Sequence, residues 1–192
     1  MPRLALVLVA IAIPFVVSAQ HGGHSPYAGM ETRAIKSLSE TDIQELRRGG
    51  GWGLALSAEL NGVPGPAHLL ELRDEIGLSD QQLAELESIY ENMQVEAKAL
   101  GERLIRAETA IEDAFRAGDL NDERLRELIE NAEAIRADLR FVHLSRHLDT
   151  PPLLTEAQIA DYKRLRGYGS DPCERVPEGH NPEMWRRHNN CD

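Results

Sequence analysis

Apolar residues recur at helical spacing through the middle of the chain. Between residues 86 and 115 successive apolar positions lie three or four residues apart, and no proline interrupts them. This spacing places them on one face of an α-helix, so the segment is predicted to form a long amphipathic helix. The stripe consists of Leu86, Ile89, Met93, Ala97, Leu100, Leu104, Ala107, Ile111 and Phe115.

A second stripe follows after a short break. Glycine and aspartate at 118–119 end the first helix, and Asn121 is a suitable N-cap for the next one. The second helix is predicted to end near Leu148, because Thr150 precedes a proline, which disfavours helical backbone. Its apolar stripe consists of Leu125, Leu128, Ala132, Ile135, Leu139 and Val142. Two long helices joined by a few residues predict an antiparallel helical hairpin.

Shorter helices flank this hairpin. They are predicted at 39–48, at one or two turns within 52–60, at 66–76 and at 155–166, and three glycines at 49–51 end the first of them. The fold class is therefore all-α, a hooked hairpin with irregular, histidine-containing tails. A two-helix hairpin buries little of its own surface, so we expect a second copy of the chain to cover the exposed part of the stripes in a homodimer.

The first 19 residues have the pattern of a secretory signal peptide. Arg3 supplies a positive charge, Leu4 to Val17 is an apolar run, and Ser18-Ala19 provides small residues before the predicted cleavage site. The alternative is an uncleaved membrane anchor, although the run is shorter than the roughly 20 residues that a spanning helix needs. Since no eukaryotic targeting feature is visible and no later apolar run could span a bilayer, we expect a bacterial periplasmic protein that does not cross the membrane after cleavage.

The remaining chain divides into three predicted regions. Residues 20–38 are a flexible leader rich in glycine and histidine, 39–166 form the helical domain, and 167–192 form a C-terminal tail. The tail contains both cysteines, Cys173 and Cys191. In an oxidising compartment such a pair predicts a disulfide, and the alternative is a pair of thiolate metal ligands.

Composition excludes several classes of function. The chain has 32 acidic and 21 basic residues and a net charge of −11, which argues against a nucleic-acid partner. With three Phe, two Trp and four Tyr, an all-β fold is disfavoured. The sequence contains no glycine-rich phosphate loop after a strand, no HExxH motif and no nucleophile elbow, so we expect a protein that is not an enzyme.

A pair of histidines on the second long helix is the strongest candidate for metal chemistry. His143 and His147 are four residues apart, so their imidazoles share one helix face and can bind the same divalent ion. The alternatives are a favourable interaction with the helix dipole or a buried core histidine. His68 precedes the first long helix and could approach the pair in an antiparallel hairpin, with Glu59 or Glu71 adding an oxygen. Such ligands suit zinc, nickel, cobalt or copper(II).

Two further sets of candidate ligands lie in the tails. His180, Met184 and His188 are spaced at four-residue intervals, and a thioether among them suits copper(I). His21 and His24 in the leader could form a loose, exposed trap for copper or nickel. These sets are weaker predictions, since exposed histidines and methionines are common in tails that bind no metal.

Two short segments carry a resemblance to a known family. Leu78–Gln82 and Leu154–Gln158 both read Leu-Ser/Thr-x-x-Gln, and each starts a predicted helix with a hydroxyl N-cap and a glutamine that reaches back to it. Together they resemble the LTxxQ repeat of the Spy/CpxP family of periplasmic helical stress proteins. The similarity covers about residues 66–166, and the first motif has Ser79 in place of threonine.

The resemblance implies a fold, a compartment and a group of functions. Relatives of the CnrX and ZraP type are periplasmic metal sensors or metal-binding stress proteins, and CnrX-like sensors place a helical histidine pair near the end of the hairpin, where His143 and His147 match by local spacing. The leading expectation is therefore a metal-binding or heavy-metal-sensing stress protein. The alternatives are an ATP-independent chaperone for unfolded client proteins and an inhibitory partner of a membrane-bound sensor kinase.

Overall fold

The protein is all-helical, and its two longest helices pack together. The computed structural model describes residues 27–168, 173, 176, 179–189 and 191. In these residues there is no β-strand, and no helix is long and apolar enough to cross a bilayer. The long helices are α5 (Asp80–Ala117) and α6 (Asp122–Asp149). The shorter ones are α1 (Glu40–Arg48), α2 (Leu56–Glu59), α3 (Pro66–Glu71), α4 (Arg73–Ile76), α7 (Glu156–Leu165) and α8 (Pro182–His188).

The chain separates into two compact units at Thr32. The described part of the first unit contains one 3-10 turn, Met30–Thr32. The second unit begins at Arg33 and contains all eight α-helices found in the described residues, together with a 3-10 turn at Pro151–Leu153.

Most helix bounds agree with the sequence pattern, and one predicted helix is divided. The helix expected at 66–76 is two helices, α3 and α4, which are separated at Leu72. Leu72 leaves helical backbone geometry and packs against the buried cluster around Leu69 and Tyr162. Packing against distant residues therefore outweighs the local preference for one continuous helix.

The apolar stripes of α5 and α6 are covered by the chain's own N-terminal segment. Ile35 and Leu38, together with Ile43 and Leu46 of α1, are buried against both long helices. The packed unit therefore includes residues that the sequence assigns to the leader. The central part of the stripes needs no second copy to cover it, whereas Phe115 at the end of α5 is 61% exposed.

Helix α1 approaches α5 closely at one glycine. A Cβ atom built on Gly101 would lie 2.3 Å from the backbone carbonyl oxygen of Leu46. Gly101 is buried in the middle of α5, where glycine is otherwise unfavourable. The absence of a side chain at this position allows the last turn of α1 to pack on the helix.

A buried ion pair connects the N-terminal segment to both long helices. Arg136 of α6 donates to Glu108 of α5 at 2.8 Å, and the Ser37 hydroxyl donates to the other carboxylate oxygen at 2.8 Å. The Arg136 guanidinium lies 4.9 Å from the ring centroid of Trp52, whose indole nitrogen donates to Asp42. The pair thus also holds the glycine-rich loop that contains Trp52.

The two Leu-Ser/Thr-x-x-Gln segments contact each other. Both capping boxes form as predicted, with Ser79 and Thr155 as N-caps. The Gln82 side-chain amide donates to Gln158 at 2.8 Å, and the Gln158 amide donates back at 3.0 Å. Gln82 also donates to the Leu153 carbonyl at 2.7 Å. The starts of α5 and α7 are therefore joined by the same glutamines that cap them.

The C-terminal tail contains the predicted disulfide. Cys173 and Cys191 are bonded to each other, which confirms the disulfide and excludes a pair of free thiolate ligands in this form of the protein. Helix α8 lies between them in the sequence and begins with Asn181 as its N-cap, so the prediction of an irregular C-terminal tail is wrong for Pro182–His188.

Candidate metal centre

The structure brings the three leading histidine candidates to one cavity. The cavity has a volume of about 360 Å³, and His68, His143 and His147 all line it. Glu59 and Glu71, the two carboxylates that the sequence suggested as additional ligands, line it as well. These five residues come from α2, α3 and α6, so the site depends on how the short helices pack against the end of α6.

A backbone hydrogen bond orients His147. Its Nδ1 lies 2.8 Å from the carbonyl oxygen of Val63. Because a carbonyl only accepts, Nδ1 carries the proton of this hydrogen bond, which leaves Nε2 as the ring nitrogen that can bind a metal. Gly65 packs directly against the ring, since a Cβ there would lie 2.6 Å from Nε2. An imidazole held through its second nitrogen in this way is typical of metal-binding histidines.

His143 is buried and has an unused ring nitrogen. The residue is 4% exposed, and its Nε2 has no hydrogen-bond partner among the described residues. Burial lowers the pKa of His143, the neighbouring His147 lowers it further, and the negative charge of Glu59 opposes both effects. At neutral pH His143 is therefore an uncharged imidazole with a lone pair available for a ligand.

His68 and Glu59 form a looser part of the site. Nδ1 of His68 lies 4.0 Å from a carboxylate oxygen of Glu59, and both side chains are 23% exposed. Zinc binds nitrogen and oxygen ligands at about 2.0–2.2 Å, so these side chains would have to move to reach a shared ion. Among the described residues, no group of three or more histidines, cysteines and carboxylates is already placed close enough to hold a metal.

Two residues that sequence reasoning missed also line the cavity. Arg166 follows α7, and its Nε is buried without a hydrogen-bond partner in the described part of the chain. Met93 of α5 contributes a thioether to the wall. The helical spacing of apolar residues predicts that Met93 is a core residue. No pattern in the sequence indicates that the end of α7 lies at this cavity.

The weaker candidate set of the C-terminal tail does not line this cavity. His180 packs edge-on against Trp185, with ring centroids 5.0 Å apart, and His188 and Met184 are exposed on α8. His21 and His24 lie outside the described residues. Both sets remain sequence predictions.

The buried state of His143 predicts a pH dependence of stability. Its pKa is lowered in the folded protein, so the unfolded chain binds the proton first as pH falls below the ordinary value of 6.5. The free energy of unfolding is expected to be independent of this group above that pH. Below it, the free energy should fall, by at most about 1.4 kcal/mol per pH unit, until the folded pKa is passed.

This dependence can be measured by urea unfolding of metal-free protein between pH 7.5 and pH 5. His143→Gln should lower the slope of stability against pH, whereas His188→Gln, at an exposed position, should leave it unchanged. Equal slopes in the wild type and His143→Gln would contradict the assignment.

Comparison with models of known protein families, with curated proteins and with solved structures finds no match to this chain.

Proposed function

We propose that this chain is a non-enzymatic protein that binds a divalent transition-metal ion through His143 and His147. One observation carries the proposal: a buried histidine whose Nε2 has no hydrogen-bond partner in the described part of the chain shares a cavity with a second histidine whose Nδ1 is fixed by a carbonyl. The His143 ring has a nitrogen available for a ligand in a buried environment, and the His147 ring is oriented as a metal ligand.

His68 and Glu59 complete the proposed site by moving towards the ion. Three imidazoles and a carboxylate suit zinc, nickel, cobalt or copper(II). Because His68 belongs to α3 and His143 to α6, a bound ion would link the short helices to the long pair. Metal occupancy would then favour one arrangement of these elements, which a partner such as a membrane-bound sensor could recognise.

We further propose that the chain is an exported stress protein of the Spy/CpxP type and that its fold is a hooked hairpin. The two glutamine motifs support this resemblance, since they cap α5 and α7 and hydrogen-bond to each other. The disulfide is compatible with an oxidising compartment such as the periplasm.

A second candidate function is that of a chaperone for unfolded proteins. The face of α6 opposite the core carries an apolar row at three- and four-residue spacing, in which Phe141 and Leu148 are more than two thirds exposed and Leu144 is half-buried. The row consists of Ala134, Ala137, Phe141, Leu144 and Leu148. It could take an apolar client segment or a second copy of the chain. Suppression of client aggregation without ATP and in the presence of a chelator would favour this function.

Thermal unfolding during metal titration tests the leading proposal. A specific site stabilises the folded state by mass action, by about 2.7 kcal/mol when the free metal concentration is 100 times its Kd. Zinc or cobalt should therefore raise the Tm of the wild type. The double variant His143→Ala with His147→Ala should lose this shift, and the control His180→Ala with His188→Ala should keep it.

Persistence of the full Tm shift in the first double variant would contradict the proposed site. If that variant does not fold, His68→Ala supplies the test at a partly exposed position. It should fold normally and bind the ion at least about tenfold more weakly.

A further inference from the structure

The cavity is much larger than a metal ion requires. Its volume is about 360 Å³, whereas one water molecule occupies about 30 Å³. Pockets for small organic ligands start at about 300 Å³. An ion held by His143 and His147 against the wall of α6 would therefore leave room for a small molecule beside it.

Arg166 is a cavity residue with unused hydrogen-bonding capacity. Its terminal nitrogen donates to the Tyr168 hydroxyl at 3.2 Å, and its guanidinium lies over the ring of the same tyrosine. The Nε is buried and has no partner among the described residues. A guanidinium offers five donors in a planar fork that fits a carboxylate, so Arg166 can hold an anion by the donors that Tyr168 leaves free.

The charges around the cavity favour an anion once a metal is bound. Two carboxylates, Glu59 and Glu71, and two guanidiniums, Arg48 and Arg166, line the wall. Glu59 lines the same cavity as His143 and Arg166. Arg48 is already paired with Glu45, so a divalent ion gives the remaining charges of the lining a positive sum. An accompanying anion compensates this added positive charge beside Arg166.

We propose that the cavity binds its metal ion together with a small carboxylate. One carboxylate group binds the ion, and the far end of the same molecule is held by the guanidinium of Arg166. A small dicarboxylate carries the two anionic groups that this arrangement uses. This inference rests on the proposed metal-binding function and names the second ligand of that same site.

Calorimetric titration with cobalt(II), in the presence and absence of succinate, tests the proposal. An acid that only chelates cobalt in solution lowers the apparent affinity of the protein for the metal, whereas joint binding raises it. Succinate should therefore raise the cobalt affinity of the wild type, by about tenfold. Arg166→Gln should still bind cobalt in the absence of succinate and should lose the increase that succinate causes. Arg103→Gln, on the exposed side of α5, should retain it.

The outcomes separate this inference from the function on which it rests. Cobalt binding that succinate does not strengthen, or an increase that persists in Arg166→Gln, would overturn the inference and leave the metal site intact. Failure of the wild type to bind cobalt under either condition would overturn the proposed function and the inference with it. If Arg166→Gln does not fold, Arg166→Lys keeps the charge without the planar fork and should show a smaller increase than the wild type.

Discussion

Replacement of Arg136 by methionine is expected to lower the free energy of unfolding by about 3 kcal/mol or more. Glu108 is 8% exposed, and without Arg136 its carboxylate retains, among the described residues, only the Ser37 hydroxyl as a hydrogen-bond partner. The substitution also removes the cation from the face of Trp52, which holds the glycine-rich loop. Urea unfolding at neutral pH measures the effect.

A double variant shows whether the cost comes from an unpaired buried charge. Glu108→Leu combined with Arg136→Met leaves no charge without its partner, so it should recover most of the loss. The control is Arg124→Met, at an ion pair with Glu127 in which both side chains are 60% exposed, where the change should stay within about 0.5 kcal/mol. An Arg136→Met effect as small as this control, or purely additive losses in the double variant, would contradict the structure.

Gly101→Ala is expected to destabilise the protein, by about 1–3 kcal/mol. The same change in the middle of an exposed helix normally stabilises by about 1 kcal/mol, so the predicted sign is reversed. The added Cβ would lie 2.3 Å from the Leu46 carbonyl oxygen, and a backbone atom cannot rotate away. Helix α1 must therefore move off α5 and loosen the core around Leu46. Thermal or urea unfolding measures the change.

Asn92→Ala is the matched control for Gly101→Ala, because Asn92 lies on an exposed face of the same helix. It should be neutral or stabilise by a few tenths of a kcal/mol, from helix propensity alone. A stabilising effect of Gly101→Ala equal to that of the control would show that α1 does not pack on α5 as described.

The long helices could be predicted from the sequence, whereas the packing of the N-terminal segment could not. The stripes of α5 and α6 extend over many turns, and capping residues such as Ser79 and Asn121 mark their starts. Ile35 and Leu38 stand three residues apart among polar neighbours, which is too short a pattern to indicate a buried face. Their burial depends on contacts with α5 and α6 that only the folded chain provides.

The histidines of the candidate site could be found from spacing, but their surroundings could not. The interval between His143 and His147 indicates a shared helix face. In an antiparallel hairpin the end of the second long helix lies beside the start of the first, which suggests His68 as a neighbour. The carbonyl that orients His147 belongs to Val63, and backbone groups leave no signal in the sequence. Arg166 reaches the cavity through the fold of α7, which local patterns do not specify.

Elemental analysis of untagged protein after gel filtration tests the metal site most directly. The wild type and the double variant His143→Ala with His147→Ala are expressed in the same metal-supplemented medium and purified without chelators. We predict close to one transition-metal ion per chain in the wild type and only a small fraction of that amount in the variant. Equal metal content in the two proteins, or a wild type that carries no metal, would contradict the proposed function.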